Sequence, residues 1–238
     1  MAVAHVNYFN TPLQKEVAFY ALLPDRQQAP GPYPVYYLLH GLSDDYTAWL
    51  RWTSIERYVR NLPLIVVLVD GDRSWYCDLP DGPRYETSII EGLIPFVDAT
   101  FPTVAEGAGR AIGGLSMGGY GAMKLALKFP HLFCSVAAHS GAYAITQRPD
   151  VPVGEEDDPF KLAEKLKRKR KKTVPAIRFD CGVDDFLIEH NRSFDAHLTK
   201  LGLAHEYEEF PGDHNWGYWD EHVQEAISFH CRALGVGQ

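Results

Sequence analysis

Nine residues near the middle of the chain constrain it more than any others: Ala111-Ile112-Gly113-Gly114-Leu115-Ser116-Met117-Gly118-Gly119. An apolar, strand-like lead runs into Gly-x-Ser-x-Gly, and residues 120–127 continue at once with helical character. A strand that turns sharply into a helix holds its corner residue in a strained backbone conformation and lifts that side chain clear of the turn. Gly114 and Gly118 flank the corner because a Cβ at either place would clash as the two arms close. Ser116 is therefore a candidate nucleophile, with the next backbone N–H facing the same space at a helix N-terminus. The competing reading is a tight strand-to-helix turn in which Ser116 only caps the helix.

The rest of the chain supplies a frame for such a corner. Residues 16–22 read as an early strand. Residues 35–39 and 64–69 are wholly apolar runs, as expected of strands buried on both faces of a sheet. Residues 134–138 are another apolar strand, residues 176–180 resume as a strand, and residues 205–210 form a more polar one. Helical spacing falls between them, at residues 54–60, 86–101 (interrupted by Pro95), 120–127, 186–201 and 218–232. Strands alternating with helices imply an α/β fold, with a mostly parallel sheet covered on both faces. At 238 residues, residues 1–238 read as one domain. The pattern loosens at residues 142–175, where a short cap-like insert is expected.

Composition narrows the function. Apolar residues make up 46% of the chain, enough for a sizeable core. No apolar run approaches the ~20 residues that span a membrane, and the first residues lack the pattern of a signal peptide. Four scattered cysteines show neither close pairs nor metal-ligand spacing. A cytoplasmic setting is the expectation. Residues 161–172 hold eight of the 23 lysines and arginines and only one of the 31 acidic residues. What remains is strongly acidic, which disfavours nucleic acid as a partner. The basic run suits the negative end of a helix dipole.

A serine hydroxyl needs a base to take its proton, and the base needs an orienting carboxylate. Six histidines follow the strand at residues 176–180. His190, His197, His222 and His230 fall in helical patterns and His205 begins a strand. That leaves His214 on a loop after the last strand. For the acid, Asp180, Asp184 and Asp185 all lie at or just past one strand end, and local physics does not choose among them. Trp49, Trp75, Tyr76 and Trp216 lie on loops after strands, where they would either line an acyl or aryl pocket or serve as ordinary half-buried aromatics.

Four stretches together carry a resemblance: Leu39-His40-Gly41-Leu42, Gly114-Leu115-Ser116-Met117-Gly118-Gly119, Cys181-Gly182-Val183-Asp184-Asp185-Phe186-Leu187 and Pro211-Gly212-Asp213-His214-Asn215-Trp216. In this order they resemble the putative-esterase family of α/β-hydrolases, over nearly the whole chain. That family includes tributyrin, feruloyl and acetylxylan esterases, S-formylglutathione hydrolases and mycolyl transferases. The resemblance is strongest to its small tributyrin-esterase-like members. It implies the α/β-hydrolase fold and a triad of Ser116, Asp185 and His214, with Asp185 matching the family's acid position. It also implies oxyanion donors in the backbone N–H groups of Leu42 and Met117, with no cofactor and no metal. The expected activity is serine carboxylesterase on short-chain acyl or aryl esters, with small-molecule ester substrates and no nucleic-acid or membrane partner. A homo-oligomer is compatible with the sequence. Acyltransferase or thioesterase chemistry would use the same acyl-enzyme, and a catalytically silent binding protein is the reading from a different class.

Overall fold

The computed structural model describes residues 1–27, 30–147, 151, 153–168 and 174–237. Eight strands form one sheet: β1 (Ala2–Asn10), β2 (Lys15–Leu23), β3 (Val35–Leu39), β4 (Ile65–Val69), β5 (Arg110–Leu115), β6 (Ser135–His139), β7 (Ala176–Gly182) and β8 (Glu206–Phe210). Their order is β1-β2-β4-β3-β5-β6-β7-β8. β1 and β2 are antiparallel, as are β2 and β4, and every pairing from β4 to β8 is parallel. From sequence alone the sheet begins at Glu16, whereas its first strand is β1. β1 is an edge strand that mostly faces solvent, so it lacks the continuous apolar run that marks the inner strands.

The inner strands alternate between two cores. Val35, Tyr37 and Leu39 face one helical layer, and Tyr36 and Leu38 face the other. The first layer contains α3 (Tyr85–Thr87), α4 (Ile94–Thr100), α5 (Met117–Lys128), α6 (Pro159–Arg168) and α7 (Ile188–Leu201). The second contains α1 (Ala48–Trp52), α2 (Ile55–Val59) and α8 (Trp216–Leu234). Each fully buried Val, Leu or Ile in these layers contributes about 1.5–3 kcal/mol from leaving water. Between α3 and α4 the helical run passes through a π-helical stretch, Ser88–Leu93, just ahead of Pro95, which has no N–H to continue the ladder. No helix among the described residues is long and apolar enough to cross a membrane. The end of the basic run, residues 169–172, lies outside the described residues.

The order of the strands positions the site. From β3 the chain steps outward to β4, then crosses back to place β5 on the other side of β3. Leu39 thus lies beside Gly114 in register, and the segments leaving β3 and β5 emerge side by side at the carboxyl edge. In open α/β sheets that switch point is where ligands bind.

Candidate active site

Ser116 occupies the corner between β5 and α5 with φ 53° and ψ −113°, a conformation disfavoured for any residue with a Cβ. Packing enforces it. A Cβ on Gly114 would come within 2.7 Å of the Leu39 carbonyl oxygen, and one on Gly118 within 2.6 Å of the carbonyl oxygens of Leu39 and His40. Backbone bonds pin the corner: Ser116 N–H donates to the His139 carbonyl at 2.9 Å, and its own carbonyl accepts from Tyr120 at 3.0 Å. Met117 is the first residue of α5, where an N–H has no acceptor within the helix.

Three strand ends converge on this corner. The loop after β8 carries His214, and α8 begins just past it, with Asn215 capping the helix by accepting from Tyr218 N–H at 3.0 Å. The loop after β7 is tied to it, because Asp184 N–H donates to the Gly212 carbonyl at 3.0 Å. Ser116 Oγ lies 3.0 Å from His214 Nε2, and His214 Nδ1 lies 2.8 Å from Asp185 Oδ2. The other carboxylate oxygen of Asp185 accepts from Leu187 N–H at 2.7 Å. Burial would raise the Asp185 carboxyl, but hydrogen bonds from His214, Leu187 and Ser140 outweigh it and hold the group below the ordinary carboxylate range. Asp184 points to solvent. Asp180 instead pairs with His139, at 2.9 and 3.0 Å, in the sheet behind the site.

A cleft of about 420 Å³ opens over Ser116, lined in part by Gly41, Leu42, Asp44, Phe186, His214 and Trp216. Of the four aromatics singled out in the sequence, Trp216 lies along this cleft. Trp49 and Tyr76 are wholly buried. Trp49 Nε1 donates to the Leu39 carbonyl at 3.1 Å, and Tyr76 hydroxyl donates to the His40 carbonyl at 2.9 Å. The loop leaving β3 turns away from the sheet ladder, so these carbonyls need other donors, and the two aromatics supply them. Trp75 packs edge-on against Tyr120 at 5.9 Å, in an apolar cluster with Cys77, Ala142, Ile145 and Leu187. The His40 ring also braces this loop, accepting from Gly71 N–H at 3.0 Å while its other nitrogen lies 2.7 Å from the Gly41 carbonyl.

Sequence reasoning missed several residues here. Phe186, 74% exposed, lies 4.5 Å from the His214 ring, centroid to centroid. Trp219 meets the same ring edge-on at 4.9 Å and donates from Nε1 to Ser140 Oγ at 3.2 Å. Phe186 was detectable as the residue after Asp185; Trp219 resembled any apolar position of a helix. A buried ionic cluster also braces the site from below. Lys124, fully buried in α5, donates to Glu86 at 2.7 Å and to the Tyr76 carbonyl at 2.5 Å. Lys128 reaches Asp157 of the insert at 2.7 Å. Burial opposes the charge on Lys124, but Cys77, Glu86 and Asp157 outweigh it and raise its pKa. No group of three or more His, Cys, Asp or Glu among the described residues could hold a metal ion.

Comparison with known proteins agrees with this fold. The chain is 29% identical to an acetyl esterase of Caldicellulosiruptor saccharolyticus, over 96% of this chain and 98% of that protein. Its fold matches a fluorophosphonate-binding serine hydrolase F of Staphylococcus aureus with a TM-score of 0.89 and 29% identity, over 96% of this chain and 98% of that one. An S-formylglutathione hydrolase of the same organism matches with a TM-score of 0.86 and 29% identity, over 97% and 99% of the two chains. The family model described as Putative esterase matches residues 11–230. The α/β-hydrolase fold and this match lead to one conclusion: the chain belongs to the putative-esterase family.

Proposed function

We propose that this chain is a serine carboxylesterase in which Ser116 is the nucleophile, His214 the general base and acid, and Asp185 the group that orients the imidazole. The observation that carries the reading is the unbroken relay from Ser116 Oγ to His214 Nε2 at 3.0 Å and from His214 Nδ1 to Asp185 at 2.8 Å, set on a strained strand-to-helix corner. Ser116 Oγ attacks the ester carbonyl carbon as its proton passes to His214 Nε2. Negative charge then collects on the former carbonyl oxygen, where the N–H groups of Leu42 and Met117 receive it. Collapse of this intermediate breaks the bond to the alcohol, which takes the proton from His214. Water repeats the sequence on the acyl-enzyme and releases the acid.

Residues 1–238 act as a single catalytic domain with a short cap, about residues 142–175. Four free thiols support a reducing, cytoplasmic setting. The substrates are small-molecule esters, and the modest cleft favours short acyl chains. Each methylene withdrawn from water is worth ~0.8 kcal/mol, so efficiency across p-nitrophenyl esters should peak at acetyl to butyryl and fall by octanoyl. Ser116→Ala should lower activity by roughly three orders of magnitude or more and abolish labelling by a fluorophosphonate probe. Labelling at another serine overturns the assignment of the nucleophile.

A further inference from the structure

Asp44 is the one carboxylate among the described residues lining the cleft over Ser116. It lies two residues past Leu42, in a turn closed by Asp44 N–H donating to the Gly41 carbonyl at 3.2 Å. A Cβ built on Gly41 would lie 3.1 Å from Asp44 Oδ2 and 3.9 Å from Ser116 Cβ, so the carboxylate stands within one small substituent of the nucleophile. Neighbouring Arg51 pairs with Asp45 at 3.6 Å. Removal from water raises the Asp44 carboxyl above its ordinary value, and the charge of Arg51 offsets this only in part. The other large side chains of the cleft, Phe186, Trp216 and Trp219, present aromatic rings. One carboxylate among aromatic faces is a setting that attracts cations, quaternary ammonium groups included.

We propose that Asp44 sets charge selectivity on the alcohol side of the site, favouring esters whose departing alcohol carries a positive charge over those whose alcohol is anionic. The inference rests on the serine-esterase reading above. His214 Nε2 must hand its proton to the departing oxygen, so the group on that oxygen leaves beside His214, in the cleft that Asp44 shares. A cation there is attracted by Asp44 and an anion is repelled by it. Two unit charges about 6 Å apart in a well-solvated cleft change each rate by about threefold, in opposite senses for cation and anion, and so the ratio between them by about tenfold. The formal net charge of −8 steers in the same direction from farther away.

Three acetyl esters that share an acyl group test the proposal: those of choline, of its uncharged carbon analogue 3,3-dimethylbutanol, and of 3-hydroxypropanoate. The readout is the choline-to-hydroxypropanoate ratio of kcat/KM in the wild type and in Asp44→Asn, with the uncharged ester as reference. Asparagine keeps the shape of the side chain and loses only the charge. The ratio should fall by about tenfold in the variant, and in the wild type it should shrink as salt is added. An unchanged ratio overturns the proposal. So does an equal decline on all three esters, which would make Asp44 a residue that orders the loop alone. So does a shift confined to esters charged on the acyl group, such as succinyl against betaine esters. Fluorophosphonate labelling of Ser116 in both proteins separates the two readings. Its absence overturns the nucleophile and Asp44 together, whereas intact labelling with an unchanged ratio overturns Asp44 alone.

Discussion

Two histidine–aspartate pairs stand at neighbouring strand ends, built from the same atoms. His214 Nδ1 lies 2.8 Å from Asp185, and His139 Nδ1 lies 2.9 Å from Asp180. They differ in what meets the second nitrogen. His214 Nε2 faces Ser116 Oγ at 3.0 Å, with its ring reaching the cleft. His139 Nε2 is buried without a partner, and Asp180 also takes the Tyr218 hydroxyl at 3.0 Å. A carboxylate on one nitrogen orients an imidazole wherever it lies. Only a nucleophile at the other nitrogen, within reach of solvent, makes that imidazole a base.

The contrast breaks most sharply at the two acids. Asp185→Asn should lower kcat by roughly three to four orders of magnitude, because the imidazole loses its working tautomer. Asp180→Asn should act mainly on the fold. It leaves His139 without its charged partner in the interior, and stability measured by urea unfolding should fall by about 3 kcal/mol. Its effect on kcat should be far smaller. The reverse pattern would move the buried pair into the catalytic machinery.

A smaller effect tests the two aromatics that brace the exit of β3. Trp49→Phe and Tyr76→Phe each leave a carbonyl of the β3 exit loop without its donor. Each should lose about 1–2 kcal/mol of stability. Because Leu42 rides on this loop, kcat should fall by about tenfold with KM little changed. A rise in KM at constant kcat would show that these rings touch substrate after all.

The smallest effect concerns His230, which lies behind the buried pair and shares a 2.8 Å contact with Ser135 Oγ. Burial, and then the charges of His139 and Arg178, push its pKa down from 6.5 to about 3. Between those values the unfolded chain binds a proton that the folded one refuses. Above 6.5 both states are neutral and the group contributes nothing to the pH dependence; below it, stability falls as pH falls, by about 1.4 kcal/mol per unit. Asp185 also has a lowered pKa, so its loss has the same sign but is confined to the carboxylate range. His230→Phe should therefore flatten the urea midpoint between pH 6 and pH 5, while the activity profile keeps its shape. A slope equal to that of the wild type would place the missing proton elsewhere.

The innermost parallel strands were legible because burial on both faces leaves an unbroken apolar run, as in residues 35–39 and 65–69. The corner at Ser116 was legible because only glycine fits at residues 114 and 118. β1 was not, since one polar face on an edge strand gives no such run. Local residues also did not separate Asp180, Asp184 and Asp185. That choice depends on which way each carboxylate leaves the strand end, and on His139 waiting across the sheet for Asp180. The direction of Trp49 and Tyr76 was hidden for a related reason. Their places in the chain follow strands, but their orientation answers carbonyls that only the folded loop exposes.

The backbone at Ser116 carries a consequence for how such a chain drifts over generations. At φ 53° and ψ −113° a residue with a Cβ costs the fold about 1–3 kcal/mol. Glycine adopts that conformation freely, and a single substitution would relax the corner while erasing the nucleophile. Decay of the chemistry is therefore downhill for the fold. A lineage released from the need to hydrolyse esters would become sturdier as it became inert, and only selection on turnover keeps serine at that corner.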